Sequence, residues 1–252
     1  MIMYFNNKQK INNIDAMIMA AGKGKRMRYL TKFLAKPLIK INNTSILERN
    51  ITKISHAGIK KIVVNTCYQH LTIKKFIKSL KSRKKLPKIN ITFEKKMLET
   101  GGGLKNAIEK FENSNILVVN GDSLLSYAYK DCPIKNLSCN YNDQNMDVLL
   151  LLSKKKNTFG YNGRGDYSRV SYSKTSQLSS RNISFAQNYI FTGWQIINKK
   201  ILDNFSERIF SLKKVYDLAE RKGKLYGVVH KGNFFHIGDT KSYGMIRKFY
   251  KL

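Results

Sequence analysis

At 252 residues and 42% hydrophobic content the chain can bury a full core. No apolar run approaches the roughly 18 residues of a membrane span, and residues 1–10 lack the apolar centre of a secretory signal, so no membrane partner and a cytoplasmic location are expected. Lys and Arg number 47 against 16 Asp and Glu, a net +31 that would ordinarily point to nucleic acid. The lysines are scattered through every predicted element, however, and Asn, Ile, Tyr and Phe are equally abundant, as an AT-rich genome would produce, so nucleic acid is not the expected partner.

Residues 1–13 are polar and Asn-rich and read as an extension before a first strand at 15–20. That strand breaks into Ala20-Ala21-Gly22-Lys23-Gly24-Lys25-Arg26-Met27, where glycines allow close backbone approach to an anion and the cations add charge. A P-loop would need Ser or Thr after Gly24-Lys25, and a dinucleotide fingerprint would need glycine at Met27, so neither pattern is met. Leu38-Ile39-Lys40-Ile41 with Asn42-Asn43 reads as a short edge segment and turn. Ser45 and Glu48 then form a capping box for a helix with the apolar face Ile46, Leu47, Ile51, Ile54 and Ala57, closed by Gly58.

A buried strand follows at 61–65, a helix over 71–82 from the period of Ile73, Phe76, Ile77 and Leu80, and a strand at 89–93. Leu104, Ala107, Ile108 and Phe111 place a third helix after the triple glycine 101–103, and the apolar run 115–120 is a fourth strand, central and covered on both faces. In the second half the expected elements are a strand at 146–153, a glycine-rich loop at 159–166 and a strand from 185 to 192 ending at Gly193. A helix marked by Leu212, Val215, Tyr216 and Ala219, strands at 225–229 and 234–237 and a helix over 240–250 complete it.

This alternation predicts an α/β fold: a Rossmann-like mixed, mainly parallel sheet with helices on both faces. A single domain is expected over 14–250, with a first half at 14–125 and a second at 126–250 that extends the same sheet. In Rossmann-type strand order the first and fourth strands are neighbours, so the loop 20–26 and Asn120-Gly121-Asp122 face one crevice. Asp122 is a carboxylate after an apolar strand and a glycine, costly to bury without a cation. Asn65 either reaches that crevice or serves a turn; His56 sits near the end of the first helix, where contact with the carbonyls is a sufficient role, His70 and His230 have no partners at ligand spacing, and Trp194 reads as core in preference to a sugar platform. Cys67, Cys132 and Cys139, odd in number and without paired metal spacing, read as reduced thiols.

Ala20-Ala21-Gly22-x-Gly24-x-Arg26-Met27 with Lys36-Pro37, Val118-Val119-Asn120-Gly121-Asp122 and Gly163-Arg164-Gly165-Asp166-Tyr167 with Thr192-Gly193 together resemble the sugar-1-phosphate nucleotidyltransferases. Leu98-Glu99-Thr100-Gly101-Gly102-Gly103-Leu104 is similar to the motif of the bacterial N-acetylmuramate-1-phosphate uridylyltransferases within that family. The resemblance spans about residues 16–249 and implies transfer of a nucleotidyl group from a nucleoside triphosphate, UTP favoured, to a sugar 1-phosphate, as in peptidoglycan recycling. It implies that 14–125 is a nucleotide-binding half and 126–250 an added sugar-binding half. It implies nucleotide contacts from Ala20, Ala21, Gly22, Lys23, Gly24, Lys25, Arg26, Lys36, Asn65, Leu98, Glu99, Gly101, Gly102 and Asn120. Arg26, Lys36 and Asp122 would be catalytic, Asp122 holding Mg²⁺, and Gly165, Asp166, Thr192 and Gly193 would contact the sugar phosphate. One position departs from the pattern: His236 stands where many relatives carry a second metal carboxylate, and imidazole is a poor Mg²⁺ ligand, with Asp239 three residues on as a possible substitute. The rival readings are a mannose-1-phosphate guanylyltransferase making GDP-mannose and a non-catalytic nucleotide- or RNA-binding module.

Overall fold

The computed structural model describes residues 11–128, 131–171, 173–180 and 189–249. Residues 1–10 of the expected extension, 185–188 of the strand expected from 185, and residue 250 of the last helix lie outside them. The chain runs β1 (Ile14–Met19), β2 (Lys40–Ile41), β3 (Thr44–Ser45), α1 (Ile46–Ala57), β4 (Lys61–Thr66), α2 (His70–Arg83), β5 (Lys88–Phe93), α3 (Glu99–Asn106), β6 (Asn115–Asn120) and β7 (Ser123–Ser126). It continues through α4 (Pro133–Asn140), β8 (Val148–Lys154), β9 (Thr158–Phe159), β10 (Ser168–Arg169), β11 (Thr175–Ser179), β12 (Tyr189–Asn198), α5 (Leu212–Arg221), β13 (Leu225–Val229), β14 (Asn233–His236) and α6 (Thr240–Phe249).

One sheet holds nine of these strands in the order β10-β11-β13-β8-β12-β6-β1-β4-β5. β5, β4, β1 and β6 are mutually parallel, and β1 and β6, the first and fourth strands of the sequence pattern, lie side by side. The second half extends the same sheet through a reversed strand: β12 is antiparallel to both β6 and β8, while β13 joins β8 in parallel.

Alternation along β1 divides the core. Ala16 and Ile18 pack with Leu47, Ile51 and Ile54 of α1, Ile73 and Ile77 of α2 and Leu137 of α4. Met17 packs on the opposite face with Leu104 before the end of α3 and with Leu212, Val215 and Ala219 of α5. Each fully buried Ile or Leu contributes about 1.5–3 kcal/mol, so both helical layers hold the strand ends in place. A second, three-stranded sheet, β7-β14-β9, lies over a smaller core that includes Leu124, Phe235, Ile237 and Ile246.

Local chemistry sets the boundaries. Ser45 Oγ accepts a hydrogen bond from the Glu48 amide at 3.1 Å, one half of the expected capping box, while Glu48 Oε1 accepts from Lys84 Nζ at 2.7 Å; Gly58 caps α1 with φ 99°, as its position predicts. Two expectations are corrected. The third helix begins at Glu99 and takes the triple glycine inside it instead of following it. Gly101 and Gly102 donate their amides to Phe210 O at 2.8 and 3.0 Å, and a Cβ on Gly102 would lie 2.3 Å from Arg208 O. These glycines therefore serve a close approach between α3 and the 208–210 segment, which outweighs their poor helix propensity. β12 does not end at Gly193 but passes through it to Asn198, with a register shift between Phe191 and Gln195 that Gly193 accommodates at φ 80°.

Candidate active site

β1 and β6 pair so that Met19 stands opposite Asn120, and the chain leaves both strands at one edge of the sheet. A cavity of about 420 Å³ opens there. Ala20, Ala21, Gly22, Gly24, Lys25 and Arg26 form one wall, and Asn120, Gly121 and Asp122 form the facing one. Lys36, Asn65 and Glu99 also line it. The crevice expected from strand order is thus present, with the cationic glycine loop opposite the carboxylate.

Lys36 and Asp122 meet across the floor with Nζ 2.5 Å from Oδ2. Burial pushes the Asp122 carboxyl upward, but the Lys36 ammonium, hydrogen-bonded to it, and the nearby His236 outweigh that effect and hold it below the usual carboxylate value. His236 pairs with Ser123 across β14 and β7, beside Asp122. Burial lowers the imidazole, Asp122 pulls it back up, and Lys36 and Arg26 push it down again; the net shift is downward.

Asn65 resolves to the crevice. Its Oδ1 accepts from the Ala20 amide at 2.9 Å and its Nδ2 donates to Glu94 Oε1 at 2.7 Å, while Glu94 Oε2 accepts from the Leu98 amide at 3.2 Å. A buried carboxylate therefore ties the glycine loop on one side to the start of α3 on the other. Leu98, Gly101 and Gly102 are themselves buried, behind the wall that Glu99 and Thr100 present.

The four residues expected on the sugar side lie outside this cavity's lining. Asp166 accepts from Tyr161 Oη at 3.0 Å and from the Phe191 amide at 2.8 Å. Thr192 Oγ1 donates to Leu151 O at 2.8 Å and Thr192 O accepts from Ser123 Oγ at 2.5 Å. Gly193 abuts the Asn120 side chain, which an added Cβ would meet at 2.8 Å, and Gly165 has φ 121°. Lys23 is not part of the cavity's lining and borders a separate depression.

The whole arrangement has relatives. A family model described as nucleotidyl transferase matches residues 15–251. The chain belongs to the nucleotidyl transferase family. It is 25% identical over 228 residues to the N-acetylmuramate alpha-1-phosphate uridylyltransferase of Caulobacter vibrioides, covering 90% of this chain and 93% of that one. It is 26% identical over 240 residues to the D-glycero-alpha-D-manno-heptose 1-phosphate guanylyltransferase of Aneurinibacillus thermoaerophilus, covering 93% and 97%. Its fold is shared with HddC from Yersinia pseudotuberculosis, solved with GMP-PN, at a TM-score of 0.73 and 22% identity over 94% of this chain and 99% of that one.

In this nucleotidyl transferase the donor set at the cavity is sparse. Among the described residues no three His, Cys, Asp or Glu side chains converge as a metal cage. Asp239 does not fill the gap: its Oδ1 accepts from the Ser242 amide at 2.8 Å and its own amide donates to Ser242 Oγ at 3.1 Å, a reciprocal cap at the head of α6. Three carboxylates line the cavity, Asp122, Glu94 and Glu99, with Glu94 already engaged by Asn65 and the Leu98 amide; such a set would fit a hard divalent cation such as Mg²⁺, which takes one or two carboxylates and draws its other ligands from phosphates and water.

Glu94, Met97 and Gly238 line the cavity without having been singled out in the sequence, and Thr100 and Pro37, quoted there only as parts of motifs, line it too. Glu94 had a signal: like Asp122, it is an acid just past the end of a strand at the crevice edge. Gly238 is placed there by tertiary contacts alone.

Proposed function

We propose that this nucleotidyl transferase moves a nucleotidyl group from a nucleoside triphosphate to a sugar 1-phosphate and releases pyrophosphate, with UTP and N-acetylmuramate 1-phosphate as its substrates. The observation that carries the reading is the opposition of Asp122 to the loop of Gly22, Gly24, Lys25 and Arg26 across one cavity, with Lys36 between them. An oxygen of the sugar phosphate attacks the α-phosphorus in line, the bond from that phosphorus to the bridging oxygen of the β-phosphate breaks, and pyrophosphate departs with the electron pair. A phosphate oxygen is nucleophilic enough to need no Ser-His pair, so catalysis rests on positioning and charge neutralisation.

In this reading the glycine loop receives the phosphates through backbone amides, and Lys25 and Arg26 neutralise the leaving end. Lys36 exchanges its carboxylate partner for phosphate oxygens. Asp122 would hold Mg²⁺ together with the phosphates, and the ion would supply neutralisation of the charge that develops on the transferring group. Asn65 and Glu94 hold the loop and the start of α3 at fixed separation, which sets the width available to the base. Gly165, Asp166, Thr192 and Gly193 support the sugar side from behind Asn120. Support for UTP comes from the 98–104 segment and the likeness to the Caulobacter uridylyltransferase; the guanylyltransferase relative of similar identity makes GTP the competing donor.

A panel of UTP, GTP, CTP and ATP against N-acetylmuramate 1-phosphate, mannose 1-phosphate and a heptose 1-phosphate, read by pyrophosphate release, tests this. Fastest release with UTP and the muramate ester is expected. A preference for GTP would replace the substrates, and no release with any pair would sink the reaction itself.

A further inference from the structure

The glycine loop has two sides. Gly22, Gly24 and Arg26 face the nucleotide cavity, whereas Lys23 faces a second cavity of about 350 Å³ on the outer flank, and Lys25 borders both. Arg28, Lys32, Tyr29 and Tyr68 supply the rest of that second lining together with Thr31. It contains four cations and no acid. None of the four forms an ion pair among the described residues.

The floor is also prepared for an anion. Thr31 Oγ1 donates to Gly24 O at 3.0 Å, and Tyr68 Oη donates to Thr31 O and Lys32 O at 2.8 and 2.9 Å. Carbonyl oxygens that would repel a phosphate are thus engaged, while the ammonium and guanidinium groups stay exposed. Arg28 is held at φ 50°, a conformation rare for a residue with a side chain, within the turn that lines this cavity. Like charges crowded without counterions repel one another, so a polyanion is the ligand that stabilises this arrangement.

We infer that this outer cavity is a second anion site which takes pyrophosphate, handed across Lys25 from the catalytic cavity. The choice of ligand rests on the reaction proposed above, whose product it is; the existence of a polyphosphate site does not. Bound there, pyrophosphate would sit outside the path of an incoming triphosphate.

Isothermal titration of the full chain with pyrophosphate tests this alongside the double variant R28Q/K32Q and the single variant K32Q, all checked by thermal melting. Arg28 and Lys32 line only the outer cavity, so initial rates without added pyrophosphate should stay unchanged. The wild-type chain should bind one more pyrophosphate than the double variant, or bind it at that site about tenfold more tightly or better, since two charge-assisted contacts are lost. K32Q should fall between the two. Equal stoichiometry and affinity in wild type and double variant would overturn the site. Displacement of pyrophosphate by a single-stranded RNA at lower concentration would overturn the ligand. If the chain turns over none of the substrate pairs, the titration difference still reads the site independently.

Discussion

Asp122 and Lys36 hold each other at 2.5 Å across a cavity built to be filled, with Asp122 the more exposed of the two at 28% against 11%. Substituting Asp122 by Ala removes the carboxylate expected to hold Mg²⁺ and leaves Lys36 beside an open cavity, where water can solvate it. Turnover should fall by at least about 10²–10³, the usual cost of one preorganised electrostatic group. The melting temperature should move by only a few degrees, because a partly exposed pair contributes little to stability. Steady-state rates together with a circular dichroism melt check both halves, and full activity in Asp122→Ala would remove the proposed role. At this scale the acid after an apolar strand was visible in the sequence, and Glu94 could have been found by the same rule. The link from Glu94 through Asn65 to the Ala20 amide could not, because it joins residues 74 and 45 positions apart only where three parallel strands end together.

Among the elements, α3 shows how spacing misleads. A triple glycine reads as a loop because glycine disfavours helix by about 1 kcal/mol per residue against Ala. Here each glycine opens room for a particular neighbour: the Phe210 ring for Gly101, Arg208 O for Gly102, and Asn65 with Glu94 for Gly103. Gly102→Ala would force the 208–210 segment away from the helix and strain the amide bonds to Phe210 O, an overpacking cost of about 1–3 kcal/mol. For a chain of this length that is a fall of roughly 2–10 °C in Tm. Gly244→Ala in α6 is the contrast: no atom lies within 4 Å of its would-be Cβ, so the melt should hold or rise slightly. Equal effects of the two substitutions, measured by the same thermal melt, would refute the packing explanation. By contrast α1 was legible residue by residue, since its cap, apolar face and terminal glycine are all local signals.

At the scale of the whole molecule, the two sheets are joined near His230, which follows β13 and is 1% exposed, with Nε2 3.2 Å from Ser126 O at the end of β7. Burial, against the pull of the Ser126 carbonyl and with the Lys53 ammonium adding to it, lowers this imidazole to about 4. The unfolded chain, with a histidine near 6.5, binds the proton more readily, so stability is fully present above pH 6.5 and is lost as pH falls from there toward 4. The integrated loss is on the order of 3 kcal/mol. Urea unfolding at pH 7.5 and pH 4.5 should show this decline, and His230→Gln should flatten it over that window; an unchanged slope would show that other groups govern acid stability. The sequence by itself determined the alternation of strands and helices, the α1 boundaries, the cationic glycine loop after β1 and the acid after β6, because each depends on local periodicity, capping or the cost of burying a charge. Tertiary structure alone decided that β12 runs reversed between β6 and β8, that Asp239 caps a helix, and that Lys23 and Lys25 turn toward a second cavity with Arg28 and Lys32. Those outcomes depend on which distant segments meet, and neither hydrophobic period nor residue spacing encodes that meeting.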